Sequence, residues 1–426
     1  MEKPSVLFLP LASQIHVERV PGPILRGRTL LEDSGLVVFG PRKPIRDITE
    51  FPKLNPDEYD AVVIFIASGG TGGLTAELMR DRPWFLWAYH ENNSLPSALT
   101  ARVKLMAAKA WKGRLLFSNL SSAPPEILAE AFACRALKSI NGYRVGYIGD
   151  EEEFNALHET VKFLKDKFDV ESVFIPTEEL KKALDYVDRN LVQQVIREKL
   201  KRAEVVEPSQ GDIEKSIRLY VTLKGIIDDN RLNGITLDCY KFLRQAGVTP
   251  CFAFSFLSDE GNTGVCEGDL ALAPVMFLLT NLSGKPVWLA NTSKMDQRSG
   301  IMTFAHCSAP TRLSEPAGLI RIRSHFESGL GATLDVPLRK GAVSIIHAAS
   351  SPQHFIIAKG ELIESQLSHW KLSRTQADVR LECDAEEFLN VTGNHQVISY
   401  GDYVPVLERI GERLGIETRV LKAEKN

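Results

Sequence analysis

The sequence predicts an α/β chain: two parallel-sheet α/β domains followed by a β-rich, antiparallel barrel-like C-terminal domain. Three observations carry this expectation. Over the first 140 residues short apolar runs alternate with amphipathic ones, the pattern of strands and crossover helices around a parallel sheet. At Tyr143 the run YRVGYIGD (Tyr143 to Asp150) restarts the pattern with a new first strand that ends in a glycine turn. After residue 285 the texture changes to short β-rich runs separated by turns, as in an antiparallel sheet or barrel. The predicted domain limits are 1–139, 140–281 and 282–426.

In the first domain Val6 to Leu9, Gly35 to Phe39, Ala61 to Ala67, Trp84 to Tyr89 and Arg114 to Phe117 read as strands. Leu74 to Arg80 and Pro96 to Ala110 read as helices between them. In the second, a helix from Glu152 to Phe168 leads to a strand at Ser172 to Ile175. A long charged helical region follows from Thr177 to Arg202, whose Glu/Lys run reads as a solvated face with i,i+4 pairs. A helix from Asp212 to Asp229 then precedes the strand Gly234 to Leu237. The β-rich domain offers Pro286 to Ala290, Ile301 to Ala305, Leu319 to Arg323, Ala342 to Ile346, Phe355 to Ala358 and Val379 to Leu381. A last helix, Tyr403 to Leu414, covers it.

Length and charge narrow the function classes. At about 150 residues per domain, 426 residues make roughly three domains, enough for cores that need no disulfide staples. With 51 Lys plus Arg against 54 Asp plus Glu, and no basic block, the chain lacks the electrostatic footprint of a nucleic-acid binder. The six cysteines form no CxxC pair, which argues against a zinc knuckle and for reduced thiols in a cytoplasmic location. The longest apolar stretches, Ala61 to Ala67 and Leu270 to Thr280, fall well short of the roughly 20 residues that cross a bilayer, so no membrane partner is expected. The N-terminal SVLFLPLA contains Pro10 and lacks a clear cleavage site, and reads as a first buried strand.

Candidate chemistry sits at probable strand ends, where open α/β sheets place their ligands. In VCEGDLALAPVMFLL, Glu267 follows an apolar approach and precedes a helix expected to start at Asp269; a carboxylate there is either a hard-cation ligand or base, or a helix cap. Asn291 ends the strand that begins at Pro286, and His306 ends the next, which places both at one rim. The adjacent Cys307 reads as packing. His395 lies in the turn TGNHQ. Each histidine taken singly reads first as a structural residue, but one Glu, one Asn and two His form a mixed oxygen and nitrogen set suited to Mn²⁺, Mg²⁺ or Co²⁺. The stretch ASGGTGGL (Ala67 to Leu74) follows a strand and opens a helix, yet has neither a P-loop ending nor GxGxxG spacing. It reads as a tight strand-to-helix turn or as a site that binds sugar hydroxyls through backbone N–H groups.

Taken together, these segments resemble the L-fucose isomerase and L-arabinose isomerase superfamily, in particular its shorter, fucose-isomerase-like members. The motifs run in order along the chain: GGT (Gly69 to Thr71), NNSLPSAL (Asn92 to Leu99), RVGYIGD, ITLDC (Ile235 to Cys239), TPCFAFSFLSDEGN, VCEGDL, FAHC, RSHFESG (Arg323 to Gly329), RTQADVRL (Arg374 to Leu381) and GNHQVISYGDY. The resemblance implies two Rossmann-like α/β domains and a β-rich domain, a divalent metal, most often Mn²⁺, and aldose–ketose interconversion through an ene-diol. It implies Glu267, His306, His395 and Asn291 as metal ligands, with Glu267 and Asn291 at the catalytic positions. Gly69, Gly70, Thr71 and Asn93 are the implied substrate contacts, and a homo-oligomer, trimer or hexamer, is the implied assembly.

The sequence departs from that pattern at Asn291, where working isomerases carry Asp or Glu. Asparagine can offer a carbonyl oxygen to a metal but cannot titrate, so it cannot serve as a second acid/base. Three readings follow: Glu267 moves the proton alone, a nearby acid such as Asp296 or Asp259 takes over, or the chain binds a sugar without isomerising it. Gly72 also departs, standing where many relatives have an acidic residue.

Overall fold

The computed structural model describes residues 2–16, 18–350, 353–369 and 371–423. The chain divides into two compact units, one ending at Lys138 and one beginning at Ser139.

The first unit is built on a five-stranded parallel sheet: β1 (Ser5–Leu11), β2 (Val37–Phe39), β3 (Ala61–Ile66), β4 (Phe85–Tyr89) and β5 (Arg114–Ser118), in the order β2-β1-β3-β4-β5. β1 and β3 are buried along their whole lengths, which is why they read as unbroken apolar runs rather than alternating ones. Val6, Phe8, Val63, Phe65 and Trp87 face the helices Pro21–Asp33 and Pro125–Ser139 through Ile24, Leu31 and Ile127. Leu7, Leu9, Val62, Ile64 and Leu86 face the helices Gly72–Met79 and Ser94–Ala107 through Leu78, Ala98 and Leu105. The strand order reverses between β1 and β3, which opens a crevice at their C-terminal ends.

The second unit contains a four-stranded parallel sheet, β6 (Arg144–Gly149), β7 (Glu171–Pro176), β9 (Gly234–Leu237) and β10 (Thr263–Val265), in the order β10-β9-β6-β7. The intervening β8 (Glu204–Val205) belongs to a different sheet. The charged region expected as one helix is two, Thr177–Asp185 and Arg189–Lys199; Asp188 accepts a hydrogen bond from the Asn190 N–H and starts the second.

The C-terminal part is an antiparallel barrel of six strands. Along the chain these are β11 (Trp288–Met295), β12 (Ile301–His306), then, after β13 (Arg321–Arg323) and β14 (Thr333–Asp335), β15 (Gly341–Ser350), β16 (Gln353–Ser365), β17 (Thr375–Leu381) and β18 (His395–Tyr400). The order around the barrel is β15-β18-β11-β12-β17-β16, and pairing of β15 with β16 closes it. The helix Val404–Leu414 follows, and β19 (Glu417–Val420) adds in parallel to β16. The expected strand at Leu319 to Arg323 does not join the barrel: β13 pairs with β14 and β8 in a separate small sheet. The architecture is otherwise the expected one, parallel α/β sheets and then an antiparallel barrel.

Candidate metal centre

Barrel register brings three of the residues to one place. On β11, Asn291 stands opposite His395 of β18 on one side and Ala305 of β12 on the other, with His306 next along β12. Glu267 arrives from the parallel sheet, two residues beyond the end of β10. It adopts a left-handed backbone (φ 59°), uncommon for a residue with a side chain, and Gly268 continues the turn at φ 68°. The Glu267 N–H donates to Cys239 Sγ at 3.2 Å.

Each oxygen of the Glu267 carboxylate faces one imidazole: Oε2 lies 3.1 Å from His395 Nε2 and Oε1 lies 3.8 Å from His306 Nε2. The other ring nitrogens are taken. His395 Nδ1 is 2.8 Å from Asp269 Oδ2, and His306 Nδ1 is 2.8 Å from Ser308 Oγ. Such partners fix the orientation of a metal-binding histidine and leave Nε2 for the ion. Glu267, His306 and His395 each offer a ligand atom, and these lie within 4.8 Å of one another. Among the described residues the Oδ1 of Asn291 is buried without a hydrogen-bond partner, a cost that a cation beside it would remove. One carboxylate, one orphaned amide oxygen and two imidazoles thus fit a divalent cation of intermediate hardness.

Electrostatics supports this reading. Burial pushes the His306 ring down to about 4, so it stays a neutral donor. Burial acts the same way on His395, but the hydrogen bonds it donates to Asp269 and Glu267 outweigh it and hold that ring up at about 9. The His395 hydrogen bond also lowers the Glu267 carboxyl below its ordinary value.

Sequence reasoning left open whether Glu267 or Asp269 merely caps a helix, and neither does. Asp269 leads into a 3-10 turn at Leu270–Leu272 without a side-chain cap, and the α-helix runs over Ala273–Ser283. The Asp269 carboxylate is instead drawn to His395, a role no local signal announces. Asp259 is committed elsewhere, accepting from Thr311 N and Oγ1 and from Arg312 N, while Asp296 caps the turn at Arg298 and Ser299.

A small cavity of about 40 Å³, room for an ion with its waters, adjoins Glu267, Asn291 and His306. Tyr240, His325 and Glu327 also line it; His325 and Glu327 belong to the RSHFESG motif, whose role the sequence left unassigned. So do four cysteines in two close pairs, Cys239 with Cys266 (Sγ–Sγ 2.9 Å) and Cys251 with Cys307 (3.0 Å). All are free thiols, and Cys307 is buried.

Gly69, Gly70, Thr71 and Asn93 come together in the first unit, after β3 and β4. There the Gly69 N–H donates to Asn92 O and the Thr71 N–H to Ser97 Oγ. Asn92 and Asn93 are both left-handed, and a Cβ at position 69 would stand 2.9 Å from Asn93 Cβ. Close approach of the two loops therefore requires glycine at that position.

The chain is similar, at low identity, to curated sugar isomerases. It is 22% identical over 169 residues to the sulfoquinovose isomerase of Alkalicoccus urumqiensis, covering 38% of each chain. It is 21% identical over 215 residues to the sulfoquinovose isomerase of Clostridium sp. (strain MSTE9), covering 48% of this chain and 47% of that one. The matches thus span less than half the length of these relatives, and they do not single out fucose- or arabinose-acting isomerases. No family model matches the chain. Among the described residues no helix is long and apolar enough to cross a membrane.

Proposed function

We propose that this chain is a metal-dependent aldose–ketose isomerase acting on a pentose or 6-deoxyhexose such as L-fucose or arabinose. In this reading Glu267, His306, His395 and Asn291 hold a divalent metal, Mn²⁺ first and Mg²⁺ or Co²⁺ as alternatives. The observation that carries the proposal is the pair of imidazole Nε2 atoms facing the two oxygens of one carboxylate, beside the orphaned Asn291 oxygen. Similarity to sugar isomerases supports the substrate class. Among the described residues no Lys or Arg lines the cavity, in keeping with a neutral sugar.

A C–H beside a carbonyl is a poor acid. A bound dication supplies charge that stabilises the ene-diolate. Glu267 takes the proton from C2 of the aldose and returns it to C1, while Asn291, which cannot titrate, orients through its amide. Asp269 and Ser308 hold the two rings in place. Gly69, Gly70, Thr71 and Asn93 are assigned to substrate contact, and the working form to a trimer or hexamer.

The test is to incubate Mn²⁺-loaded protein with a panel of neutral aldoses, together with the sugar named for the two relatives, and to measure ketose. Turnover is expected with at least one sugar, with loss of about a hundredfold or more in Glu267→Gln. The missing carboxylate at Asn291 favours a second reading, a sugar-binding or regulatory protein of the same fold. Saturable sugar binding with no ketose from any sugar would establish that reading and defeat the first.

A further inference from the structure

If the site isomerises, it must also move a proton between the two sugar oxygens, a task open to a second carboxylate. Asn291 cannot perform it. Asp259 and Asp296, the two acids the sequence offered in its place, are engaged by Thr311, Arg312, Arg298 and Ser299 and do not line the cavity. Among the described residues the cavity has one other carboxylate in its wall, Glu327.

Glu327 is well supported for such work. It sits in a loop closed on itself: the His325 N–H donates to Leu330 O (3.1 Å), the Gly329 N–H to His325 O (2.8 Å), and His325 Nδ1 lies 3.0 Å from Ser328 Oγ. Arg374 fixes the start of the loop through Nε to Ser324 O at 2.8 Å, and its guanidinium lies over the Phe326 ring. Tyr240 lines the same cavity as Glu327 and Glu267. The Tyr240 ring meets His325 edge-on at 6.1 Å. Glu327 is exposed at the cavity mouth, so it remains open to a substrate.

Resting on the isomerase reading above, we propose that Tyr240 and Glu327 form a proton relay that supplies the oxygen-to-oxygen transfer Asn291 cannot. After Glu267 takes the C2 proton, the C–H bonding pair forms the C1–C2 double bond and the carbonyl pair moves to O1. The Tyr240 hydroxyl gives its proton to O1, the O2 proton passes to the Glu327 carboxylate, and Glu327 re-protonates Tyr240. The carbonyl then re-forms at C2 as C1 takes its proton from Glu267. Tyr240, Glu327 and Glu267 all end as they began, and no co-reactant is consumed.

The test compares wild type with Glu327→Gln, Glu327→Asp and Tyr240→Phe, all loaded with Mn²⁺. It measures kcat, KM, bound metal and the affinity for the matching alditol, which cannot isomerise. The relay predicts a kcat loss of about a hundredfold in Glu327→Gln and in Tyr240→Phe, with partial return in Glu327→Asp. The double variant should be little worse than either single one, with metal content and alditol affinity within about threefold of wild type. Wild-type turnover alongside an equally active Glu327→Gln would overturn the relay alone, as would loss of metal in that variant. A wild type that makes no ketose from any sugar overturns the isomerase reading and the relay with it.

Discussion

His395 carries the clearest consequence at the scale of single residues. Burial disfavours its charged form, but Asp269 and Glu267 hold its pKa at about 9, so the ring is protonated near neutrality in the metal-free chain. A cation needs the Nε2 lone pair and must displace that proton. His306, held neutral by burial at about 4, has none to give. Close to one proton per ion should therefore be released at about pH 7, and apparent metal affinity should rise with pH until about 9 and then level off. Calorimetric titration in buffers of different ionisation enthalpy measures the release; an affinity independent of pH between about 6 and 8 would contradict this account. Glu267 and His306 were legible in the sequence as strand-end residues of the right chemistry and His395 as a turn histidine, but their convergence was not. His395 meets Glu267 and Asp269 across 128 and 126 residues of chain, and barrel register decides that meeting. Asp269 looked like a cap because nothing local reveals a partner so distant.

At the scale of elements, the site depends on how β10 delivers Glu267. The strand has only three residues and packs under the helix Cys251–Asp259, where a Cβ at position 264 would stand 2.8 Å from Phe254 Cα. Backbone cannot yield there as a flexible side chain can. Gly264→Ala should therefore cost about 1–3 kcal/mol of stability and weaken Mn²⁺ binding, because the left-handed turn at Glu267 begins three residues on. Thermal unfolding and metal titration of the variant check both effects; unchanged metal affinity in a destabilised variant would show that the turn is set independently of the strand. Elements with continuous apolar runs, such as β1 and β3, were read correctly because burial on two faces leaves that signature. Helix starts were read less well. The helix expected from Asp269 begins at Ala273, since Pro274 occupies its first turn and the Asp269 side chain is directed to His395. The long charged region splits because Asp188 caps a new helix, a choice that composition does not foretell.

At the scale of the whole molecule, the fold class was legible because strand–helix alternation and short β runs have different periods. The small sheet was not, because β13 draws its partners from β8 and β14 rather than from the barrel. The first unit is pinned by Asp60, whose buried carboxylate accepts from Ser5 N at 2.8 Å and pairs with Arg135 (2.8 Å) and Lys138 (2.9 Å), joining the start of β1 to the helix Pro125–Ser139. Burial opposes its charge, but the Ser5, Lys138 and Arg135 contacts prevail and hold the carboxyl below its ordinary value. Its stabilisation is therefore complete above an unfolded carboxyl's value of about 4 and is lost as pH falls through the lower folded value. Asp60→Asn should cost the first unit about 2 kcal/mol at neutral pH, measured by denaturant unfolding, and the difference from wild type should shrink at about pH 3. The central claim is that Glu267, His306 and His395 share one divalent ion. Equilibrium Mn²⁺ binding, read by electron paramagnetic resonance on wild type beside Glu267→Gln and His395→Ala, tests it most directly. One ion per chain in wild type, with affinity reduced at least tenfold in each variant, is the predicted result; a wild type that binds no ion, or variants that bind as tightly, would contradict it.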